Sequence, residues 1–462
     1  MATHRCSLFA LLLFTGCTPG GYEVQVVVKE QVATVVELSW ATDEPGYSWV
    51  EFGLDDEEAR TTPSYVEPSL DHLHTLLGLP PYQEIWYRAV TELGDEVVTV
   101  EGRVTTGGLP AELPELTVTV HQPELMAPER YVLGTMLGEG QGNSGVYALD
   151  RDGNWLWYHQ DPPGSIVVEI TVAEGGFVYN RFGHDPSVDE SVLRRVSFDG
   201  ANEEQLDTPL GHHSFTEFPD GSLAWIAIDP RDWWSDEEQA DVPVVGDAVV
   251  LRTPEGEQRT LFSTWDWVEP ERTSLWDEAF YPQGADWTHG NGLHYDPERA
   301  LLVLSLRNIN TVLELAMDEA RSEAWPLRQY GIEGDAQFVE DDQLFEASRE
   351  EAFHLQHDPT FTSDGTLLLT TILEARTQVA EYTVEEDGQK LRLIRTHGAE
   401  EELFASAMGM ARELPNGNWL VSFGTSGLVQ EVTPDGQVAW ELRASAGCSL
   451  GDVQLFDGFY AP

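Results

Sequence analysis

Beyond residue 128 the chain is punctuated by two interleaved series of hairpin turns, and no other feature narrows its fold as much. One series falls at Asp152-Gly153, Asp199-Gly200, Glu255-Gly256, Glu319-Ala320, Asp387-Gly388 and Asp435-Gly436, at spacings of 47, 56, 64, 68 and 48 residues. The other falls between them, at Gly175-Gly176, Asp220-Gly221, Pro297-Glu298, Asp364-Gly365, Asn416-Gly417 and Asp457-Gly458. Two hairpins per unit make four strands, and a lone four-stranded unit leaves an apolar face uncovered. Radial stacking covers it, so the expectation is an all-β chain with a six-bladed β-propeller over residues 129–462. The order of the turns predicts that both ends of the propeller chain share one blade, with Tyr131 to Met136 pairing near Phe456 to Tyr460. The long spacings place insertions at 229–246, 264–288 and 328–350.

Ahead of the repeat, short alternating strands run from Glu23 to Thr106: Val24 to Val28, Val35 to Trp40, Ser48 to Phe52, a run ending at Leu79-Pro80-Pro81, Trp86 to Thr91 and Val97 to Thr105. This alternation predicts a β-sandwich over 23–106. With Trp40 before Thr42-Asp43-Glu44-Pro45, and Tyr87-Arg88-Ala89-Val90, it resembles a fibronectin type III module. Residues 107–128, with Pro110, Pro114, Pro123 and Pro128, read as a linker. The start of the chain, with His4 and Arg5 before an apolar run from Leu8 to Phe14, has the order of a signal peptide over 1–16. Thr15-Gly16-Cys17 resembles a bacterial lipobox, which implies an exported protein with a lipid anchor on Cys17, facing the periplasm or at the cell surface. No later run approaches the ~18 apolar residues of a membrane helix.

Charge removes one class of partner. With 81 Asp and Glu against 25 Lys and Arg, the formal charge is −56, and the only lysines are Lys29 and Lys390. Such a surface repels a phosphate backbone, so nucleic acid is excluded. The 15 Trp, 14 Tyr and 18 Phe also exclude a disordered acidic polymer.

The chemistry lies in a register. Eight residues before the glycine of each second-series turn stand Val168, His213, His357, Gly409 and Leu450, and His289 stands nine before Glu298 in the unit with the longer turn. Equivalent positions in a radial repeat lie on one ring, so three imidazoles are expected to converge. A ring of histidines suggests zinc or copper first. Arg307, closing the run Ser305-Leu306-Arg307, repels a cation and offers a bidentate fork to a tetrahedral oxyanion. His212 is a rival to His213, which alone keeps the register.

The strings Gly211-His212-His213-Ser214-Phe215, Asp286-Trp287-Thr288-His289-Gly290-Asn291, Ser305-Leu306-Arg307 and Gln356-His357-Asp358 resemble the bacterial aryl-sulfate sulfotransferases, over about residues 110–462. That resemblance implies transfer of a sulfuryl group from a phenolic sulfate ester to a phenol through a sulfated histidine, with no nucleotide donor, metal or other cofactor. It makes His357 the nucleophile, with His213, His289 and Arg307 on the sulfuryl oxygens and the phenolic proton. His212, Asn291 and Trp287 are expected beside the substrate. Ser214 replaces the aspartate usual in the family and leaves open how the His213 ring is oriented. Trp233, Trp234, Trp265, Trp267, Trp276 and Trp287 cluster in and beside the middle insertions, where an aryl acceptor could stack. The alternatives are a non-catalytic propeller lipoprotein for binding or adhesion, and a metal-binding ring.

Overall fold

The computed structural model describes residues 22–460 except 56–57, 139–143, 184, 186–190, 237, 271–279, 332–336, 341–342, 345–351, 374–375, 386–389 and 399–402. Cys17 and Trp276 lie outside the described residues. Among those described, the regular structure is strand, with short 3₁₀ turns and no α-helix.

The N-terminal unit is built around one strand, Val36–Gly53, where the sequence suggested two. Its ladder slips between Ala41 and Gly46, across Pro45, which has no N–H to donate. The first half pairs with Ser69–Leu76 and the second with Glu84–Leu93, so one strand changes partner along its length. Val36, Leu38, Val50, Phe52 and Ile85 share one buried apolar cluster.

Six further sheets follow. The first joins Tyr131–Gly138, Ser144–Asp150 and Trp155–Asp161 to the distant strand Cys448–Phe456, with Phe456 opposite Tyr131 and Cys448 opposite Gly138. The second to fifth begin at Ile170–Ala173, Gly211–Glu217, Gly290–Asp296 and His357–Phe361, and the sixth at Gly409–Glu413. The expected hairpin glycines are where left-handed backbone is needed: φ is +89° at Gly153, +67° at Gly200, +81° at Gly221, +77° at Gly365 and +87° at Gly436. Ala300 and Arg321 take that conformation where the turns lack a suitably placed glycine. Asp457-Gly458 is not a hairpin, since the strand before it pairs with Tyr131–Gly138 instead.

Residues 107–128, expected as a linker, contain the strand Leu116–His121, which pairs with Val438–Ala444 as a fifth strand of the sixth sheet. The alternation from Leu116 to Val120 carried that signal, and the surrounding prolines obscured it.

The sheets bury their faces against one another in order. Val178 of the second shares a core with Trp225 of the third, Leu251 of the third with Leu304 of the fourth, Val312 of the fourth with Leu369 of the fifth, and Val379 of the fifth with Val421 of the sixth. Leu442 of the sixth then meets Leu149 of the first and Phe177 of the second. The strand Leu301–Leu306 shows why these strands read as apolar runs: all six residues are buried, five of them aliphatic.

Candidate active site

The first strands of the third, fourth and fifth sheets each carry an irregularity at the histidine. The ladders slip between His212 and Phe215, between Gly290 and Gly292, and between His357 and Thr360. Beside each slip is a non-glycine residue in left-handed backbone, with φ of +48° at His213, +50° at His289 and +48° at Asp358. Such backbone is disfavoured by about 1–3 kcal/mol per residue and re-aims side chains out of the strand. Here the result is convergence. The His213 ring centroid lies 4.8 Å from that of His289 and 6.3 Å from that of His357. All three residues are buried.

The His289 and His213 rings are held by their neighbours. His289 Nδ1 lies 2.5 Å from an Asp286 carboxylate oxygen, which makes Nδ1 the donor. His213 Nδ1 lies 2.9 Å from His212 Nδ1, and the Tyr281 hydroxyl stands 3.5 Å away. The carbonyl of His213 accepts from Asn180 Nδ2 at 2.6 Å. Asn291 performs a similar task one sheet on, donating to the Gln356 carbonyl at 2.9 Å and so holding the backbone that presents His357. Its Oδ1 is buried without a hydrogen-bond partner among the described residues. Gln356 in turn donates to the Leu306 and Thr311 carbonyls, tying the fifth sheet to the fourth.

Arg307 begins a 3₁₀ turn, Arg307–Ile309, at the end of Leu301–Leu306. Its backbone N–H donates to the His289 carbonyl at 3.1 Å and its Nη1 to Asn308 Oδ1 at 2.8 Å. Asn308 also donates to the Asp286 carbonyl, so guanidinium, His289 and Asp286 form one unit. Burial, with His289, His212, His357 and Arg307 alongside, holds His213 well below the ordinary histidine range. Burial also lowers His357 to about 4, with His289 and Arg307 adding to it and Asp358 opposing. Both imidazoles are therefore neutral at neutral pH. The neutral His213 and His357 keep nucleophilic lone pairs available, and the fixed Arg307 guanidinium favours an anionic ligand.

Beneath the histidines, Val168, His213, His357 and Gly409, four members of the predicted register, line one small cavity together with Glu169, Asp358 and Asp452. The acids belong to a buried network. Asp358 lies 2.6 Å from His294 Nε2, and Asp452 lies 2.9 Å from Arg412. Burial opposes ionisation of Asp358, but His294 and Arg412 outweigh it and hold the carboxyl low. Glu169, which accepts from the Phe215 N–H at 2.9 Å, is pushed up by burial, well beyond the carboxylate range.

Several expectations need correction. Trp287 is fully buried in the core against Trp265, 5.0 Å between centroids, and is no substrate contact. Trp265 also carries the Arg231 guanidinium on its face, and Trp234 is exposed. Aromatic rings beside the histidines include Tyr281, 6.2 Å from His289, Phe182, 5.4 Å from His213, and Phe280, 5.8 Å from His213 and 5.1 Å from His289. No sequence pattern singled these out. Asp286 and Asp247 were also missed, although Asp286 stands three residues before His289. Ser214, where an acid was expected, accepts from the Leu293 N–H at 2.8 Å and joins the third sheet to the fourth. Among the described residues, no group of three or more His, Cys, Asp or Glu is arranged to hold a metal ion.

The arylsulfotransferase (ASST) family model matches residues 117–447, most of the chain and all four converging side chains. The chain belongs to the arylsulfotransferase family. A search of curated proteins finds no match. Among solved structures, this arylsulfotransferase-family chain is similar to a protein of unknown function from Bacteroides caccae, at 13% identity and a TM-score of 0.41 over 69% of this chain and 94% of that one. It is similar to the periplasmic gluconolactonase of Pseudomonas aeruginosa at 14% identity and 0.39, over 71% and 100%. Virginiamycin B lyase from Staphylococcus aureus stands at 8% and 0.38, over 74% and 100%. Likeness at this level says nothing about chemistry.

Proposed function

We propose that this family member moves a sulfuryl group from an aryl sulfate ester to a phenol by way of a sulfohistidine at His357. The observation that carries the reading is the meeting of three buried imidazoles beside Arg307. A neutral His357 attacks sulfur, so an N–S bond forms as the ester S–O bond breaks; the acceptor phenol then reverses the exchange. Arg307 meets the charge spread over the sulfuryl oxygens, with the His213 and His289 rings beside the transferred group. Phe182 and Phe280 offer ring faces to the aryl group.

In the same reading the six sheets are the blades of a closed propeller, sealed where Cys448–Phe456 pairs with Tyr131–Gly138. The N-terminal unit is a fibronectin type III-like sandwich. Export and a lipid anchor at Cys17 complete it, with small aryl sulfates and phenols as partners.

The test is incubation of purified protein with an aryl sulfate, first alone and then with a phenol acceptor. Alone, the intact mass should rise by one sulfuryl group. With acceptor, the kinetics should be ping-pong. His357→Ala should lose both the label and turnover; full activity in that variant moves the nucleophile elsewhere. A folded wild-type protein that takes no label and turns nothing over ends the transferase reading.

A further inference from the structure

The backbone just after His357 is held by side chains rather than by a ladder. His357 pairs with Thr370 and the register resumes only at Thr360, so Asp358 and Pro359 lie outside it, and Pro359 has no N–H to give. Asp358 also takes left-handed backbone, φ +48°, which a non-glycine residue keeps only where its surroundings hold it. Its side chain shows what does. Asp358 Oδ1 lies 2.6 Å from His294 Nε2 of the fourth sheet, and Oδ2 lies 3.8 Å from Arg412 Nη2 of the sixth. The carboxyl is held low and ionised, so it accepts and His294 Nε2 donates. The fourth sheet comes so close that a methyl group on Gly292 would lie 3.0 Å from Asp358 Cα. Arg412 is ion-paired in turn with Asp452 of Cys448–Phe456, 2.9 Å away, and Asp452 Oδ2 accepts from the Ile170 N–H at 3.1 Å. Groups from the fourth, fifth, sixth, first and second sheets therefore meet in one cluster, and the residue after His357 bridges its members.

We propose that His294 and Arg412, acting through Asp358, are positioning residues for the nucleophile, so that His357 is clamped on both sides: Asn291 holds the Gln356 carbonyl before it, and this cluster holds Asp358 after it. The proposal rests on the transferase reading above, in which His357 attacks sulfur. Asn291 and His294 stand three residues apart on the strand Gly290–Asp296, and His289 immediately precedes that strand. One strand thus carries one converging ring and grips both chain neighbours of another. Attack needs nitrogen and sulfur about 3–3.5 Å apart, and a shift of about 1 Å can cost about 10²-fold in rate. Arg307 is anchored separately, on Asn308 and His289, so loss of the clamp should slow the chemical step and spare ester binding.

The experiment compares full-length wild type, His294→Leu and His294→Gln in the sulfation of the enzyme by excess para-nitrophenyl sulfate. Leucine cannot donate to Asp358, whereas a glutamine amide can. His294→Leu should lower the sulfation rate at saturating ester about 10²-fold, and His294→Gln should regain about tenfold. The half-saturating ester concentration should stay within about twofold of wild type in both. A loss in His294→Leu below about threefold, an equal loss in His294→Gln, or a loss confined to half-saturation overturns the clamp. Should His294→Leu fail to fold, His294→Asn, whose shorter amide falls short of Asp358, takes its place against the same limits. Hydrogen exchange gives a readout without turnover: amides across residues 355–361 should exchange faster in His294→Leu and return towards wild type in His294→Gln, and unchanged exchange there overturns the clamp. That comparison decides even if the wild type takes no sulfuryl label, an outcome that defeats the transferase reading alone.

Discussion

Arg307 is anchored through its own turn, with Nη1 on Asn308 and its amide on His289, so its planar fork is held in place. A lysine offers a point charge without that plane. Arg307→Lys should lower kcat/KM for aryl sulfate about 10²-fold while leaving the melting temperature nearly unchanged; a loss under about threefold would mean that the fork does not touch the transferred group. His357 gives a second prediction. Burial holds it to about 4, below the ordinary 6.5, so the nucleophile stays unprotonated as pH falls through the usual histidine range. The rate of enzyme sulfation by excess ester should stay level there and decline with a midpoint near 4. A midpoint near 6.5 would mean that the attacking ring is exposed to water.

At the level of strands and sheets, one buried ion pair joins the sixth sheet to the first. Glu431 is fully buried and meets Arg151, the Ala127 N–H and Asn418 Nδ2. Glu431→Ala leaves the Arg151 guanidinium buried and unpaired, and should destabilise by about 3–5 kcal/mol in chemical unfolding; a loss below 1 kcal/mol, about the value of a surface pair, would mean that water reaches the seam. Much of this level was legible beforehand. The turns were visible because left-handed backbone selects glycine, and the histidine register because residues at equal distances from equivalent turns lie at equal depth. What escaped has a common physical cause. Asp247, Phe182 and Phe280 act through contacts with residues distant along the chain, and no spacing along one strand encodes those. Leu116–His121 pairs with a strand more than 300 residues away, so its prolines read as a linker while its alternation went unused. Trp287 looked like a ligand contact by its place between Asp286 and His289, yet its ring turns into the core.

The whole molecule carries a formal charge of −56. His74 and His357 are both lowered to about 4 by burial. Below 6.5 the unfolded chain binds protons there that the folded chain does not, so stability is complete above 6.5 and drains away as pH falls towards 4. The melting temperature should fall across that window, and His74→Gln should flatten the fall; an unchanged slope would shift the cause to other groups. Self-repulsion among 81 acids adds a salt dependence: added chloride should raise the melting temperature at neutral pH, because a Debye length of about 10 Å at 0.1 M screens the surface. The seam between Tyr131–Gly138 and Cys448–Phe456 has a consequence for biosynthesis. The ribosome delivers one side of it some 300 residues before the other, so through most of translation an apolar strand edge waits without its neighbour. Chains stalled or clipped short of Cys448 would keep that edge open and pass to chaperones, proteases or aggregates.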